Sequence, residues 1–408
     1  MSANALLKEV KSKHEEIIST IWNNFKNLNE DDWLQSLRRN AYTHVQECGL
    51  PTPKSERFKY TNLPVFLKDM HLSLSEATIQ VKGNTNFSYE LPDVIPSPAN
   101  WLKDMLSAEP PGQNKYGDMS LWNLGNAFLR DGIVVDVPEG THGQAPLEIT
   151  IKGRDSSFFS PRILVQVGEN SEFTIIEAHN GQGAYWNNQI TQIHLKKNAR
   201  LRHYRIIENP DISACTQNTH VQAEEGAYYE TFTLTSATGL SRNQIHVELL
   251  GSGAECTLNG ANMLSGAQHS DTTITIEHKA PHCISHQNYR NVLDDCSSGV
   301  FQGKVHVHQI AQKTDGYQLS NTLLLSDGAK MNTKPELEIY ADDVKCSHGT
   351  TTGKLEDTPL FYLRSRGISE KEAKALLIQS FVSEVVEKIE DNHVQEIIRQ
   401  KVLEWLKQ

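Results

Sequence analysis

A weak internal period limits how this chain can fold more than any other feature. The fragments GENSEFTII, KKNARLRHY, EEGAYYETF and GSGAECTLN each join a turn, a small residue and a new strand. The small residues are Ser171, Ala199, Ala227 and Ala254, separated by 28, 28 and 27 residues. SDGAKMNTK repeats the pattern at Ala329, 75 residues after Ala254, or about three more periods. A period in the twenties in a strand-rich chain indicates a solenoid, in which each coil buries its apolar face against the next. The LxxLxL signature of leucine-rich repeats is absent. The period therefore points to a parallel β-helix with coils about 4.8 Å apart.

The surrounding texture agrees. From about Asp131 to Lys345, short apolar or alternating segments are punctuated by Gly, Asn and Ser. Examples are GIVVDV, PLEITI, RILVQV, FTIIEA, ITQIHL, LRHYRII, YETFTL, QIHVELL, TITIEH, KVHVHQI and ELEIYA, all of which read as strands. So long a β region needs a repeating solution to its exposed edges. Residues one period apart should be stacked neighbours. Ser320 lies 28 residues before His348, so the two are expected side by side.

Both flanks read as helical. In residues 1–50, Leu6, Leu7, Val10, Ile17, Ile18, Ile21 and Trp22 recur at helical spacing. Asn29 with Glu30, Asp31 and Asp32 starts a second helix, whose face is Trp33, Leu34, Leu37, Ala41 and Val45 and which Gly49 and Pro51 end. LPTPKSERFKYTNL is a polar, proline-rich connection. SPANWLKDML starts a short helix, EPPGQNKYGDM is a loop, and LWNLGNAFLRDG reads as a helix stopped by Gly132. Beyond Gly353, Ser369 and Glu372 form a capping box, followed by a stripe of Ala373, Leu376, Leu377 and Phe381. A last helix, His393–Leu406, carries Val394, Ile397, Ile398, Val402, Trp405 and Leu406. The expected division is a mostly helical region over 1–130, a β-helix core over 131–353 and a helical region over 354–408. The last two helices hold more apolar surface than they can hide alone. They must dock on the solenoid, bind a partner, or both.

Composition excludes several classes. With 50 acidic against 39 basic residues the formal charge is −11, which argues against a nonspecific nucleic-acid or membrane-surface binder. No apolar run approaches the roughly 20 residues that span a bilayer. The N-terminus has no signal-peptide apolar core, so the chain reads as cytoplasmic. The six cysteines are scattered without a CxxC and read as free thiols, mostly buried and inert. Walker A, GxSxG, HExxH and a helix-opening GxGxxG are all missing from the sequence.

The chemistry that remains is sparse. In PELEIYADDVKCSHGTTTG, Cys346 and His348 alternate on a probable strand and so share a face. A thiol and an imidazole are half of a metal site. His306 and His308 are similarly spaced, and His278 and His282 bracket a loop beside Cys283, but a histidine in a sheet is ordinarily structural. Solenoids also include polysaccharide lyases, for which Asp294 and Asp295 would be the carboxylates. The sequence has no export signal to match.

The stretch PELEIYADDVKCSHGTTTGKLEDTPLFYLRSRGISEKEA resembles the C-terminal signature of the SufB/SufD family of iron–sulfur cluster assembly proteins. GLPTPKSERFKYTNL is similar to that family's recurring GxP…E-(W/F)-KYT element, and FLRDGIVVDVPEGT to its entry into the β domain. SufB-like chains have an acidic residue after the signature histidine, whereas Gly349 follows His348 here. They also carry a functional cysteine one coil earlier, where the matching stretch LSNTLLL has Ser320. Both departures point to the SufD branch.

The resemblance implies a mainly β protein: a right-handed parallel β-helix with N- and C-terminal helical regions. It implies a non-catalytic scaffold that pairs with SufB through the last coils and docks the ATPase SufC through its C-terminal helices. By the same resemblance, His348 maps to the family's interface histidine and Cys346 to the cysteine two residues before it. These are candidate ligands for iron or a nascent Fe–S cluster shared with SufB, with no cofactor held tightly by the isolated chain. Without SufB, a homodimer through the last coils is expected. The alternatives are a carbohydrate-active β-helix enzyme and an architectural adaptor with no ligand role.

Overall fold

The computed structural model describes residues 18–19, 22–23, 32–109 and 119–407. Most of the helix expected over Leu6–Trp22 and most of the loop EPPGQNKYGDM lie outside them. The chain is a parallel β-solenoid of about eight turns with helices at both ends.

Each coil gives one strand to each of two sheets. The first sheet stacks Gly132–Val137, Arg162–Val167, Tyr185–Leu195, Ala214–Ala223, Leu240–Leu249, His269–His278, Ser298–Val307 and Lys330–Ile339. The second stacks Leu147–Gly153, Glu172–Gly181, Arg200–Glu208, Tyr228–Ala237, Glu255–Leu264, Ile284–Leu293, Asp315–Leu324 and Lys345–Gly353. ACTQNTHVQA and ISHQNYRNVL are strands that the alternation rule misses, because their coil interior is partly polar.

The small residues do form a column. Ser171, Ala199, Ala227 and Ala254 each precede a strand of the second sheet, and each passes its carbonyl to the residue after the next member. The column continues through Cys283, Thr314 and Val344, where larger side chains hide the repeat from the sequence. Ala329 is not a member: it precedes a strand of the first sheet and belongs to the other ladder. The period also drifts. The register step is 26 residues from Ala214 to Leu240 but 32 from Ser298 to Lys330. Strands keep nearly constant length, so turns absorb the difference.

The interior is apolar for much of its length, built on residues such as Ile149, Ile175, Leu201, Val221, Ile245, Leu258 and Ile276. A polar island interrupts it. There the Glu177 carboxylate accepts from His203 at 2.9 Å and from Gln189 at 2.8 Å, and also pairs with His179, all fully buried.

The two ends of the solenoid differ. At the N-terminal end, Thr78–Gly83 and Ser88–Glu90 pair antiparallel with the first strands and close both edges. At the C-terminal end, Lys330–Ile339 and Lys345–Gly353 have no further strand beside them among the described residues.

The N-terminal helix Asp32–Cys48 buries Leu34, Ala41 and Val45. Gly49, in the left-handed conformation at φ 69°, ends it and donates to the Val45 carbonyl at 2.8 Å. The ERFKYT segment then plugs onto the first sheet. Phe58 is fully buried under the Arg242 guanidinium, 3.8 Å from the ring centre, and Thr61 donates to Asp271. The helix Ser120–Ala127 stops at Phe128, before Gly132. Gly132 opens a strand instead, where a Cβ would lie 1.9 Å from the Arg162 carbonyl oxygen.

At the other terminus, the capping box between Ser369 and Glu372 forms as expected. The buried face of helix Glu370–Val386 is Ala373, Ile378, Val382, Val385 and Val386, while Leu376 is 46% exposed. With Val394, Ile398 and Val402 of helix Asn392–Trp405, this face covers Ile176, Tyr204, Phe232 and Met263 on the outside of the second sheet. The preceding helix, Asp357–Ser365, buries nothing, and its Phe361 is 74% exposed.

Candidate functional site at the open end of the solenoid

The last strand of the second sheet, Lys345–Gly353, alternates as its sequence suggests, so Cys346 and His348 share a face. The coil beneath is Asp315–Leu324, and its register places Gly316 against Cys346 and Gln318 against His348. Ser320 pairs with Thr350 instead, which corrects the expected contact with His348. The reason is a step of 30 residues between these two strands, from Asp315 to Lys345, rather than 28. Ser320 is buried and accepts from Asn291 Nδ2 at 3.3 Å. Gln318 is the neighbour that the repeat does not reveal, because the lengths of the intervening turns set this register.

The Cys346 sulfur packs against Gly316, where a Cβ would lie 3.4 Å from Sγ, an ordinary van der Waals contact. Cys346 is half-buried against Val305, Val307, Ala311 and Ala341. Burial pushes its thiol pKa up, the Gly316 backbone hydrogen bond opposes this, and the Asp315 carboxylate adds to the rise. Cys346 is thus a protonated thiol at neutral pH that a metal must deprotonate to bind. His348 is exposed on the open end. Among the described residues, no His, Cys, Asp or Glu completes a three-ligand group with these two.

The other sequence candidates lie elsewhere. His278 is buried, hydrogen-bonds Ser285 Oγ at 2.9 Å, and burial pulls its pKa down to about 4. His282 and Asp295 occupy left-handed turn positions, and Asp294 accepts from the Asp295 backbone. None of the cysteines among the described residues is in a disulfide; Cys215, Cys256 and Cys283 are buried and Cys296 is exposed. Among the described residues no helix is long and apolar enough to cross a membrane.

Fold and site together define a parallel β-solenoid, its first coil capped by antiparallel strands and its last carrying a thiol and an imidazole on one face. Residues 149–381 match the family model of the SUF system FeS cluster assembly SufBD core domain, and residues 12–116 match the SufBD protein N-terminal region. The chain belongs to the SufB/SufD family of iron–sulfur cluster assembly proteins, and it is SufD-like. It is 34% identical to an iron–sulfur cluster assembly SufBD family protein of Synechocystis, over 91% of each chain. It is 30% identical to the iron–sulfur cluster assembly protein SufD of Escherichia coli, over 89% of this chain and 90% of that one. A chloroplastic Arabidopsis thaliana protein, ABCI7, is 33% identical over 71% of this chain and 64% of its own length.

Proposed function

We propose that this chain is a non-catalytic, cytoplasmic scaffold subunit that pairs with a SufB-type partner through its last coil. In this reading His348 and Cys346 supply part of a site for iron or a nascent Fe–S cluster, and the partner supplies the remaining ligands. The observation that carries the reading is the asymmetry of the solenoid ends: strands cap the first coil, whereas the last presents two edges unpaired among the described residues, with Cys346 and His348 on one of them. Unpaired edges seek a strand partner. Ile339 and Tyr340 are 40% and 62% exposed there and would supply apolar contact area. Two ligands fall short of the usual four, so a shared site suits them.

In this reading the chain divides at about 130 and 353 and its C-terminal helices dock a SufC-type ATPase, a role supported by the exposure of Phe361 and Tyr362 on Asp357–Ser365. Without the partner, the same edges would pair two copies of this chain. A second reading, an adaptor in which Cys346 is only a packing residue, is favoured by that thiol's burial against Val305 and Ala341.

The test is His348→Ala in the chain co-purified with SufB- and SufC-type partners, followed by anaerobic reconstitution and visible spectroscopy. The expected result is an intact complex with strongly reduced cluster absorbance. Undiminished cluster yield would remove the ligand role and leave the adaptor.

A further inference from the structure

A second group of metal-ligating side chains lies on the outer face of the first sheet, away from Cys346 and His348. Register aligns Glu248, Glu277, His306 and Glu338 on four successive coils. His308 follows one residue beyond the strand Ser298–Val307, and its ring stacks on that of His306 with centroids 4.3 Å apart. Ligand atoms of Glu277, His306 and His308 all lie within 4.8 Å of one another. All three residues are half-buried and reachable from solvent.

We propose that Glu277, His306 and His308 bind one divalent first-row transition ion. Two imidazoles and one carboxylate suit Fe²⁺, Co²⁺ or Zn²⁺, and they disfavour Mg²⁺ and Ca²⁺, which require oxygen. Glu277 accepts from His246 at 3.1 Å through one oxygen. Its other oxygen faces His308 at 3.3 Å and Lys279 at 3.2 Å. The ion takes the place of the Lys279 ammonium, which keeps its contact with Glu248. Glu338, aligned with His306 on the far side, is held by Lys304 at 2.8 Å and can become a fourth ligand if that lysine swings away. Tyr340 packs edge-on to His306, 5.6 Å between centroids, and restricts its rotation.

The neighbouring group of His246, Glu248 and Glu277 is a poorer site. His246 is buried, and Glu248 already accepts from His220 at 2.7 Å and Gln222 at 3.2 Å. Three functional atoms from two coils, 29 residues apart at Glu277 and His306, meet only because this register step holds. The inference does not rest on pairing with a SufB-type partner, and its test uses the full chain alone.

The experiment titrates tag-free Cys346→Ala/His348→Ala protein with Co²⁺ under anaerobic conditions, read by d–d absorption, so that the open-end pair cannot contribute. One saturable equivalent is expected. Adding His306→Ala and His308→Ala should weaken binding by at least about 100-fold, and Glu277→Gln by about 10- to 100-fold, scaled from the loss on removing even a supporting residue. Fe²⁺ and Zn²⁺ competition against Co²⁺ then identifies the preferred ion. His306 and His308 are partly exposed, so the variants should keep the parent melting curve. No saturable equivalent, or equal affinity after loss of both imidazoles, overturns the site and leaves an ion-pair ladder.

Discussion

Asp271→Asn should loosen the ERFKYT segment from the solenoid while changing side-chain volume hardly at all. The Asp271 carboxylate is fully buried and receives three donors: Arg242 Nη1, Thr61 Oγ1, and Thr273 Oγ1 at 2.9 Å. Arg242 is 1% exposed, sandwiched between this carboxylate and the Phe58 ring. Removing one partner of such a pair leaves a desolvated charge, at a cost of about 3–5 kcal/mol. The damage is local, because the groups that lose their arrangement join residues 56–61 to the sheet. At about 1.4 kcal/mol per tenfold, backbone amides of residues 56–67 should lose two to four orders of magnitude of hydrogen-exchange protection. Amides of the coils near Ile175 and Ile245 should keep theirs. Arg242→Met/Asp271→Leu removes both charges and should restore most of the protection, since apolar replacement of a buried pair is often neutral. Unchanged protection in Asp271→Asn, or no rescue in the double variant, would refute the argument that this ion pair holds the segment.

Two further outcomes can be measured directly. Val382→Ala, at a fully buried position in the helix–sheet contact, should cost about 2–3 kcal/mol and expose helix Glu370–Val386 to proteolysis, while Leu376→Ala should leave the digestion rate unchanged. For the buried Glu177–His179 pair, burial is the largest single influence on His179 and pulls its pKa down, but the Glu177 charge and hydrogen bond, together with Cys215 beside the ring, outweigh it and raise the value from 6.5 to about 9. A raised histidine contributes stability that is fully present below pH 6.5 and is lost as pH rises through about 9. The melting temperature should therefore fall across that window, and Glu177→Gln should flatten the fall; an identical alkaline slope in the variant would contradict the pairing.

The sheet face that carries Glu277, His306 and His308 shows why sequence spacing undervalues some groups. The pair His306 and His308 was visible as an alternation, but alternating histidines on a strand are ordinarily structural. Glu277, which completes the group, comes from the coil before. Its alignment depends on every residue in the intervening turns.

Local chemistry was legible in the sequence because it depends on neighbours in the chain. The capping box at Ser369 and Glu372, the helix stop at Gly49, the shared face of Cys346 and His348, and the period of Ser171, Ala199, Ala227 and Ala254 all follow from backbone geometry within one element or one repeat. The family signature was equally legible, because it lies in contiguous residues. What tertiary structure decided was register between coils. Turns of unequal length put Gln318 rather than Ser320 opposite His348, moved Ala329 to the other sheet, and brought Glu277 to His306. The same structure chose Val382 over Leu376 as the docking face of the C-terminal helix. A period fixes an average, whereas contact between two side chains requires the sum of all turn lengths between them, and only the folded chain carries out that addition.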